Sequence, residues 1–195
     1  SATLTAVLKH AGYDSSLITV RDDFNSTKET IGNAIDQNDV VIITGGISVG
    51  DYDFVGKALA ELNVDEVFYK VKQKPGKPLF YGKKGNKSIF ALPGNPAAVL
   101  TCYYMYVRTA IKSLIGISTP MLEEREVAIL HDFAKKGDRA HLLKAYINAQ
   151  GVQVHARQSS AMLSSFVGAN SLIYLSEEDR EIKKGDTVLV YILPI

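Results

Sequence analysis

Residues 40–46 read Val-Val-Ile-Ile-Thr-Gly-Gly. Five consecutive β-branched residues are typical of a strand that is buried on both faces. The two glycines then interrupt the run, because glycine packs no side chain and adopts backbone angles that other residues avoid. The stretch therefore predicts a strand over residues 40–44 in a parallel sheet, with a turn at the strand's carboxyl end.

Helices and strands alternate on both sides of this stretch. Apolar residues at helical spacing predict helices over residues 3–12, 27–37, 55–62 and 97–114. Short apolar runs predict strands over residues 16–20, 67–71, 79–81 and 88–92. Ser26 or Thr27 suits the N-cap of the second helix, and residues 82–87 suit a turn between the last two strands. The alternation indicates an α/β fold, a mostly parallel three-layer sheet assigned to residues 1–118.

The rhythm changes after residues 116–121, which contain Gly, Ser, Thr and Pro and suit a linker. Short β-like segments follow over residues 126–130, 142–147, 152–155, 172–175 and 187–192. Turn-forming sequences separate them, and no helical pattern interrupts them. We therefore expect a second domain over residues 122–195, a small all-β barrel.

Composition excludes several classes of protein. Of the 195 residues, 46% are hydrophobic and 22% are charged, which argues against a disordered chain. Cys102 is the one cysteine, so no intrachain disulfide can form. No apolar run reaches the length of a membrane span, and no secretory signal is visible. The chain begins directly in a helical rhythm, which leads us to expect a fragment that lacks an upstream part.

The net charge of +1 is a sum of unequal parts. Residues 1–66 hold 4 basic and 11 acidic residues, whereas residues 67–122 hold 9 basic and no acidic ones. Residues 123–195 hold 9 basic and 10 acidic residues. This asymmetry fits an anionic partner, and it equally fits a solvated lysine face.

Three unusual loops follow predicted strands, and ligands of open α/β sheets bind beyond the carboxyl ends of strands. In the first loop, backbone amides near the paired glycines suit an anion, and two carboxylates beside an anion suit a divalent cation. A glycine turn with capping aspartates is the structural alternative. The candidate ligand-binding residues of this first loop are Thr44, Gly45, Gly46, Ser48, Gly50, Asp51 and Asp53.

The second loop reads Lys74-Pro75-Gly76-Lys77-Pro78. Two prolines stiffen it, so that it presents two ammonium groups to a phosphate or another oxyanion at little ordering cost. A solvated basic turn is the alternative.

The third loop contains Pro93, Gly94, Asn95 and Pro96 and precedes a helix. Asn95 suits either a helix cap or a hydrogen bond to a ligand. For each of these residues, a purely structural connector is as good an interpretation.

Other chemistry has little support in the sequence. Cys102 lies in an apolar helical pattern and suits the core better than a nucleophile. The four histidines lack metal-ligand spacing, and no P-loop, dinucleotide-binding or nucleophile-elbow motif occurs. We expect neither nucleic-acid binding nor membrane association.

The three loops, in this order, closely resemble the molybdopterin molybdenumtransferase family, which includes MoeA and the gephyrin E domain. The resemblance continues over residues 164–166 and 169–172, and so covers nearly the whole chain. It implies the third and fourth of the family's four domains, which are a molybdopterin-binding α/β domain and a C-terminal β-barrel. From this resemblance we expect the family's first two domains to be missing from the sequence.

The resemblance also implies a function. Members of the family insert molybdenum from molybdate into the dithiolene of adenylylated molybdopterin and release AMP, with Mg²⁺ as the implied cation. It further implies a cytoplasmic homodimer and a molybdopterin adenylyltransferase as a partner. By position, Asp22 and Asp53 match catalytic, metal-binding aspartates, and Lys74 and Lys77 match the catalytic basic loop. Matching ligand-binding residues lie in the three loops, and in the C-terminal domain at Arg139 and at Ser164 or Ser165.

Three alternatives remain open at this point. The first is a ligand-binding fragment without catalysis, because a second subunit's domain completes the family's site. The second is a molybdopterin adenylyltransferase, which shares the α/β fold, although the lysine loop and the appended β domain argue against this. A scaffold role like gephyrin's receptor clustering has no identifying feature here.

Overall fold

The computed structural model describes residues 2–21, 23–47 and 54–194. Its first part alternates helices with short strands, as the sequence predicts. The helices are α1 (Ala2–His10), α2 (Phe24–Gln37), α3 (Phe54–Glu61), α4 (Pro96–Cys102) and α5 (Arg108–Leu114). A π-helical segment, Tyr103–Val107, joins α4 to α5, so the predicted helix over residues 97–114 forms with one wider turn. The strands are β1 (Val40–Thr44), β2 (Asp65–Tyr69), β3 (Gln73–Lys74), β4 (Phe80–Lys84) and β5 (Lys87–Leu92).

The first sheet is mixed, which corrects the prediction of a mostly parallel one. Its order is β1-β5-β4-β2, in which β1 and β5 run parallel and the other two pairs run antiparallel. The tight turn after β4 explains the difference. Strands joined by such a short connection can only pair antiparallel, because a parallel crossover needs a dozen or more residues.

Strand β1 lies at the edge of this sheet, and only Val41 in it is buried. The expectation of a strand buried on both faces is therefore wrong. The predicted strand over residues 16–20 is also wrong, since these residues have no regular structure and Leu17 and Ile18 are more than half exposed. A cavity of about 1120 Å³ lies against β1 and is lined in part by residues 14–20.

Helix α2 begins three residues before the predicted start. Asp23 is its N-cap, and the carboxylate accepts a hydrogen bond from the Ser26 N–H at 2.8 Å. This hydrogen bond lowers the pKa of Asp23 below its ordinary value. The predicted caps, Ser26 and Thr27, lie inside the first turn instead.

The second part is built of strands. These are β6 (Glu124–Ala128), β7 (Phe133–Ala134), β8 (Ala140–Asn148), β9 (Gly151–Val154), β10 (Ser171–Leu175), β11 (Glu181–Ile182) and β12 (Thr187–Ile192). A short 3₁₀ helix, Leu163–Phe166, precedes β10. All five predicted strands form here, with shifted ends in all but the last. Strands β7 and β11 pair with each other and lie outside the predicted set.

The main sheet of this part does not close into the predicted barrel. Its order is β3-β8-β10-β12-β6, with β9 added on β8. Closure needs a continuous ladder between β9 and β6, whereas a single bridge, Ile129 to Val152, joins these edges in the described chain. Strand β3 comes from the first part, so this sheet contains residues from both parts.

One core cluster also spans both parts of the chain. It packs Leu79 and Leu92 of the first part with Leu172 and Leu193 of the second. The division into domains at residues 118 and 122 therefore stays a prediction. Within the described residues, no helix combines the length and the apolar character that a bilayer crossing requires.

Candidate functional site

The first and third loops lie side by side. Strands β1 and β5 are parallel with Thr44 opposite Leu92, so both loops leave the sheet where these two strands end. We call this end of the strands the loop edge. The Gly45 N–H donates to the Leu92 carbonyl at 3.2 Å. A side chain on Gly94 would come within 3.7 Å of the Gly45 Cα, so the two backbones are close neighbours.

Gly45 and Gly46 both have the left-handed backbone angles that favour glycine, with φ of 82° and 66°. A side chain on Gly46 would also meet Val55 at 2.9 Å. Thr44 and Gly45 are half-buried, and Gly46, Gly94 and Asn95 are exposed. The sequence predictions at Asp22, Ser48, Gly50, Asp51 and Asp53 lie outside the described residues. Within the described ranges, no cluster of three or more His, Cys, Asp or Glu residues is placed to hold a metal ion.

The lysine loop lies at the same edge of the sheet. Strand β2 ends at Tyr69 and β4 begins at Phe80, and these two residues pair with each other. Phe80 in turn pairs with Ala91, next to the end of β5. With strands about 4.8 Å apart, the strand ends that flank the lysine loop lie roughly 10–14 Å along this edge from the end of β1. Lys74 and Lys77 are exposed, and neither forms an ion pair with a described residue.

Contacts with neighbouring residues hold the backbone of the lysine loop in place. Gly76 is buried, and a side chain there would meet the Cys102 Sγ at 2.5 Å. The Gln73 amide donates to the Pro75 carbonyl at 3.0 Å and accepts from the Tyr106 hydroxyl. Burial raises the pKa of the Cys102 thiol to about 12, so this thiol stays protonated and fills the core.

The second part of the chain brings further basic side chains to the lysine loop. Strand β3 runs parallel to β8 with Lys74 opposite His141, and the Arg139 guanidinium donates to the Gln73 carbonyl at 3.4 Å. His141 is buried, and its pKa is lowered first by burial and then by repulsion from Lys74, Lys135 and Arg139. Sequence reasoning missed His141, because only the pairing of β3 with β8 places it there.

Ser164 and Ser165 lie on the 3₁₀ helix. Ser164 is half-buried, whereas Ser165 is fully buried and its hydroxyl is bonded within the second part. The preceding residues reach the third loop instead. Ser160, which the sequence did not single out, accepts hydrogen bonds from the Ala97 N–H at 3.1 Å and from the Asn95 amide at 3.4 Å. Asn95 makes no side-chain cap on α4.

The charge asymmetry is a poor guide to this site. Five of the nine basic residues between positions 67 and 122 lie away from the loop edge: Lys83, Lys84, Lys87, Arg108 and Lys112. The first three belong to the hairpin at the opposite end of the sheet. Of the remaining four, Lys72 pairs with Glu177 at 2.6 Å. The net charge of the whole segment therefore does not identify the site, and most of its basic residues fit the alternative of a solvated lysine face.

Two family models match the chain. One, described as "Probable molybdopterin binding domain", matches residues 1–113. The other, described as "MoeA C-terminal region (domain IV)", matches residues 126–193.

Similar curated proteins are named molybdopterin molybdenumtransferase. The protein of Staphylococcus epidermidis (strain ATCC 35984) is 28% identical over 190 residues, which are 95% of this chain and 45% of the relative. That of Staphylococcus aureus (strain Mu50) is 28% identical over 174 residues, which are 87% of this chain and 42% of the relative. The chain thus spans less than half the length of these relatives.

Solved structures show the same fold. The molybdopterin biosynthesis MoeA protein from Pyrococcus horikosii superposes with a TM-score of 0.80 at 23% identity, over 98% of this chain and 46% of its own. A molybdenum cofactor biosynthesis protein from Pyrococcus furiosus gives a TM-score of 0.78 at 21% identity, over 98% and 63% of the two chains. At these identities the likeness supports the fold alone.

Proposed function

Since the chain belongs to the family of probable molybdopterin-binding domains, we propose that it binds adenylylated molybdopterin and takes part in molybdenum cofactor synthesis. In this reaction, molybdenum from molybdate enters the dithiolene of molybdopterin, and AMP is released. Because the chain spans less than half the length of these curated relatives, the reaction of the whole protein is part of the proposal as well.

One observation carries the proposal. Three loops of unlike chemistry leave the same edge of one sheet: a glycine turn at Gly45, a Pro-Gly-Asn-Pro turn at Gly94, and a stiff loop with two exposed lysines. A ligand that carries a pyrophosphate suits this edge, since backbone amides and ammonium groups both favour anions. The separation of roughly 10–14 Å between the strand ends that bear the outer loops favours an elongated ligand over a lone phosphate.

The described residues take distinct roles in this proposal. Lys74 and Lys77 neutralise the oxyanions of phosphate and molybdate, and Pro75, Gly76 and Pro78 hold the two lysines in place. Thr44, Gly45 and Gly46 and the turn from Pro93 to Pro96 line the ligand. Arg139 adds a cation from the second part, while Ser164 is the only one of the two candidate serines with exposed surface.

Magnesium belongs to the proposal through Asp22 and Asp53. Carboxylate oxygens are the donors that Mg²⁺ takes in proteins, and a bound divalent cation would polarise the phosphoanhydride. Ser48, Gly50 and Asp51 would complete the glycine loop beside it. We further propose that the full-length protein is a cytoplasmic homodimer that receives its substrate from a molybdopterin adenylyltransferase.

Titration calorimetry with adenylylated molybdopterin tests the binding. We expect Lys74→Gln and Lys77→Gln each to raise the Kd about tenfold, since a hydrogen bond to a charged group contributes about 1.5–3 kcal/mol and 1.4 kcal/mol is tenfold. The control is Lys83→Gln, an exposed lysine on the opposite hairpin, which should leave the Kd unchanged. Equal affinity in all four proteins would refute the site.

AMP release in the presence of molybdate tests the catalytic half of the proposal. Binding together with AMP release would assign both roles to these residues. Binding without AMP release would assign them the ligand-binding role alone, with catalysis completed by the segments that the longer relatives possess.

A further inference from the structure

A segment of the second part reaches over to the Pro-Gly-Asn-Pro turn. We call residues 155–166 the strap; it leaves the end of β9 and includes the 3₁₀ helix. Ser160 in the strap accepts the hydrogen bonds from the Ala97 N–H and the Asn95 amide. Ala97 is the second residue of α4, so its N–H has no acceptor within the helix. The strap therefore supplies a hydrogen-bond acceptor for a backbone N–H that has none within α4.

Lys144 holds the strap from the side of β8. Its side chain is almost fully buried, at 2% exposure. The ammonium donates to the Ser159 carbonyl at 3.2 Å and to the Ser165 hydroxyl at 3.0 Å, and it lies 5.7 Å from the centre of the Phe166 ring. The ammonium thus has two hydrogen-bond acceptors and one aromatic ring within cation–π distance, all in the strap.

The backbone of Lys144 is fixed to the strap as well. The Gln158 amide accepts from the Lys144 N–H at 3.1 Å and donates to the Lys144 carbonyl at 2.8 Å. The His155 N–H donates to the same carbonyl at 2.8 Å. The strap is therefore attached to one residue of β8 at both its beginning and its middle.

A buried lysine is energetically unfavourable at this position. Burying an ammonium without a carboxylate costs free energy, whereas a methionine of similar length would pack there without that cost. Among the described residues Lys144 forms no ion pair. Its hydrogen-bond donors are thus what this position gains from a lysine.

We propose that Lys144 is a positioning residue, whose ammonium fixes the strap so that Ser160 holds Asn95 and Ala97 in the geometry of the ligand site. The effect on the ligand rests on the proposed function, whereas the effect on Ala97 does not depend on it. No atom of Lys144 needs to touch the ligand. The residue acts through Ser159 and Ser165, which flank the segment that contacts the turn.

The ammonium should be sensitive to pH in the mildly alkaline range. Burial lowers the pKa of Lys144 to about 8. The neutral amine keeps two donors but loses the charge that strengthens its hydrogen bonds. The described elements around it carry no acid that would oppose this shift. Their titratable and charged side chains are His141 and Tyr146 on β8, Tyr174 on β10, and His155 and Arg157 on the strap.

Hydrogen exchange of the Ala97 amide tests the positioning without any ligand. In Lys144→Met we expect its protection factor to fall about tenfold, the scale of one lost hydrogen bond to a charged group, while the amides of β5 keep theirs. Lys184→Met, an exposed lysine of the same part, is the matched control and should change neither. Unchanged Ala97 protection, or an equal loss in β5, would overturn the proposal.

Two further measurements apply even if Lys144→Met fails to fold. Ser165→Ala removes one acceptor and should lower Ala97 protection severalfold. In the unaltered chain, the same protection factor should fall severalfold between about pH 7 and about pH 9 as Lys144 loses its proton. A flat pH profile together with an unaffected Ser165→Ala variant would also overturn the proposal.

Affinity for adenylylated molybdopterin supplies the functional arm. The Kd of the unaltered chain should rise over the same pH range, and Lys144→Met should bind severalfold more weakly with no such rise. If Ala97 loosens in Lys144→Met and the Kd stays the same, Lys144 is a structural residue only and the proposal is wrong. If the unaltered chain binds no molybdopterin, the proposed function fails instead, and the exchange data still decide the positioning.

Discussion

Replacing Gly76 with alanine tests whether the lysine loop is as rigidly fixed as its contacts indicate. Gly76 has a φ of 91°, and a Cβ there would lie 2.5 Å from the Cys102 Sγ and 2.9 Å from the Gln73 Nε2. The left-handed backbone costs about 1–2 kcal/mol for a residue with a Cβ. Forcing an extra methyl group against packed neighbours costs about 1–3 kcal/mol more. We therefore expect Gly76→Ala to lower the free energy of unfolding by roughly 2–5 kcal/mol.

Gly137 provides a matched control. Its φ is 90°, yet a Cβ there would meet nothing within 4 Å. Gly137→Ala should therefore show the backbone cost alone, about 1–2 kcal/mol. Both variants gain similarly from a less flexible unfolded chain, so this contribution cancels when they are compared.

Urea unfolding followed by circular dichroism measures both values. A double variant identifies the source of the extra cost: with Cys102→Ala in the background, Gly76→Ala should lose part of this cost of about 1–3 kcal/mol, because the contact with the Gln73 amide remains. Equal destabilisation by Gly76→Ala and Gly137→Ala would refute the reasoning. So would an extra cost at Gly76 that persists unchanged when the Cys102 sulfur is removed.

Two further predictions concern the titration of buried groups. The pKa of His141 is lower in the folded protein than in the unfolded chain, so the free energy of unfolding should fall as the pH drops below about 6.5. His141→Gln should flatten this slope, whereas His10→Gln, on the exposed end of α1, should leave it unchanged. Equal slopes for all three proteins in urea titrations would contradict this. The Cys102 thiol, with a pKa of about 12, should react with iodoacetamide at pH 8 on the order of a thousandfold more slowly in the folded protein than in denaturant. Mass spectrometry measures this rate, and comparable rates in both states would contradict the burial of the thiol.

Local sequence patterns predicted most elements of this fold, and the exceptions have physical reasons. The strand over residues 40–44 forms as predicted, since five β-branched residues favour extended backbone wherever a neighbour is available. The apolar run over residues 16–20 has the same local preference but forms no strand. A strand exists only through its pairing, and β1 pairs with β5 alone among the described residues.

The overall arrangement of the sheets was less predictable than its elements. The turn over residues 82–87 already indicated an antiparallel hairpin, but the alternation of helices and strands led us to expect a mostly parallel sheet. Here the local signal was correct and the general rule for the fold class was not. The pairing of Gln73 and Lys74 with β8 had no local signal at all, because it joins residues more than sixty positions apart.

The candidate site, too, was predictable in part from local sequence patterns. Each of the three loops directly follows a strand, and strand ends that share one edge bring their loops together, so local patterns sufficed for the described loop residues. Charge counting failed because a sum over a segment ignores direction. Lys83, Lys84 and Lys87 belong to the same basic stretch as Lys74, but the chain reverses at the hairpin and places them at the other end of the sheet.

Lys144 is the residue that the sequence could have revealed and did not. It lies in the run Leu142-Leu143-Lys144-Ala145, which the pattern correctly assigned to a strand, and all four side chains are buried. A charged residue within a buried apolar run is rare unless hydrogen bonds compensate for the burial. The sequence therefore contained the sign of a buried polar network. The acceptors, Ser159 and Ser165, lie in a segment without regular pattern, and only the folded chain identifies them.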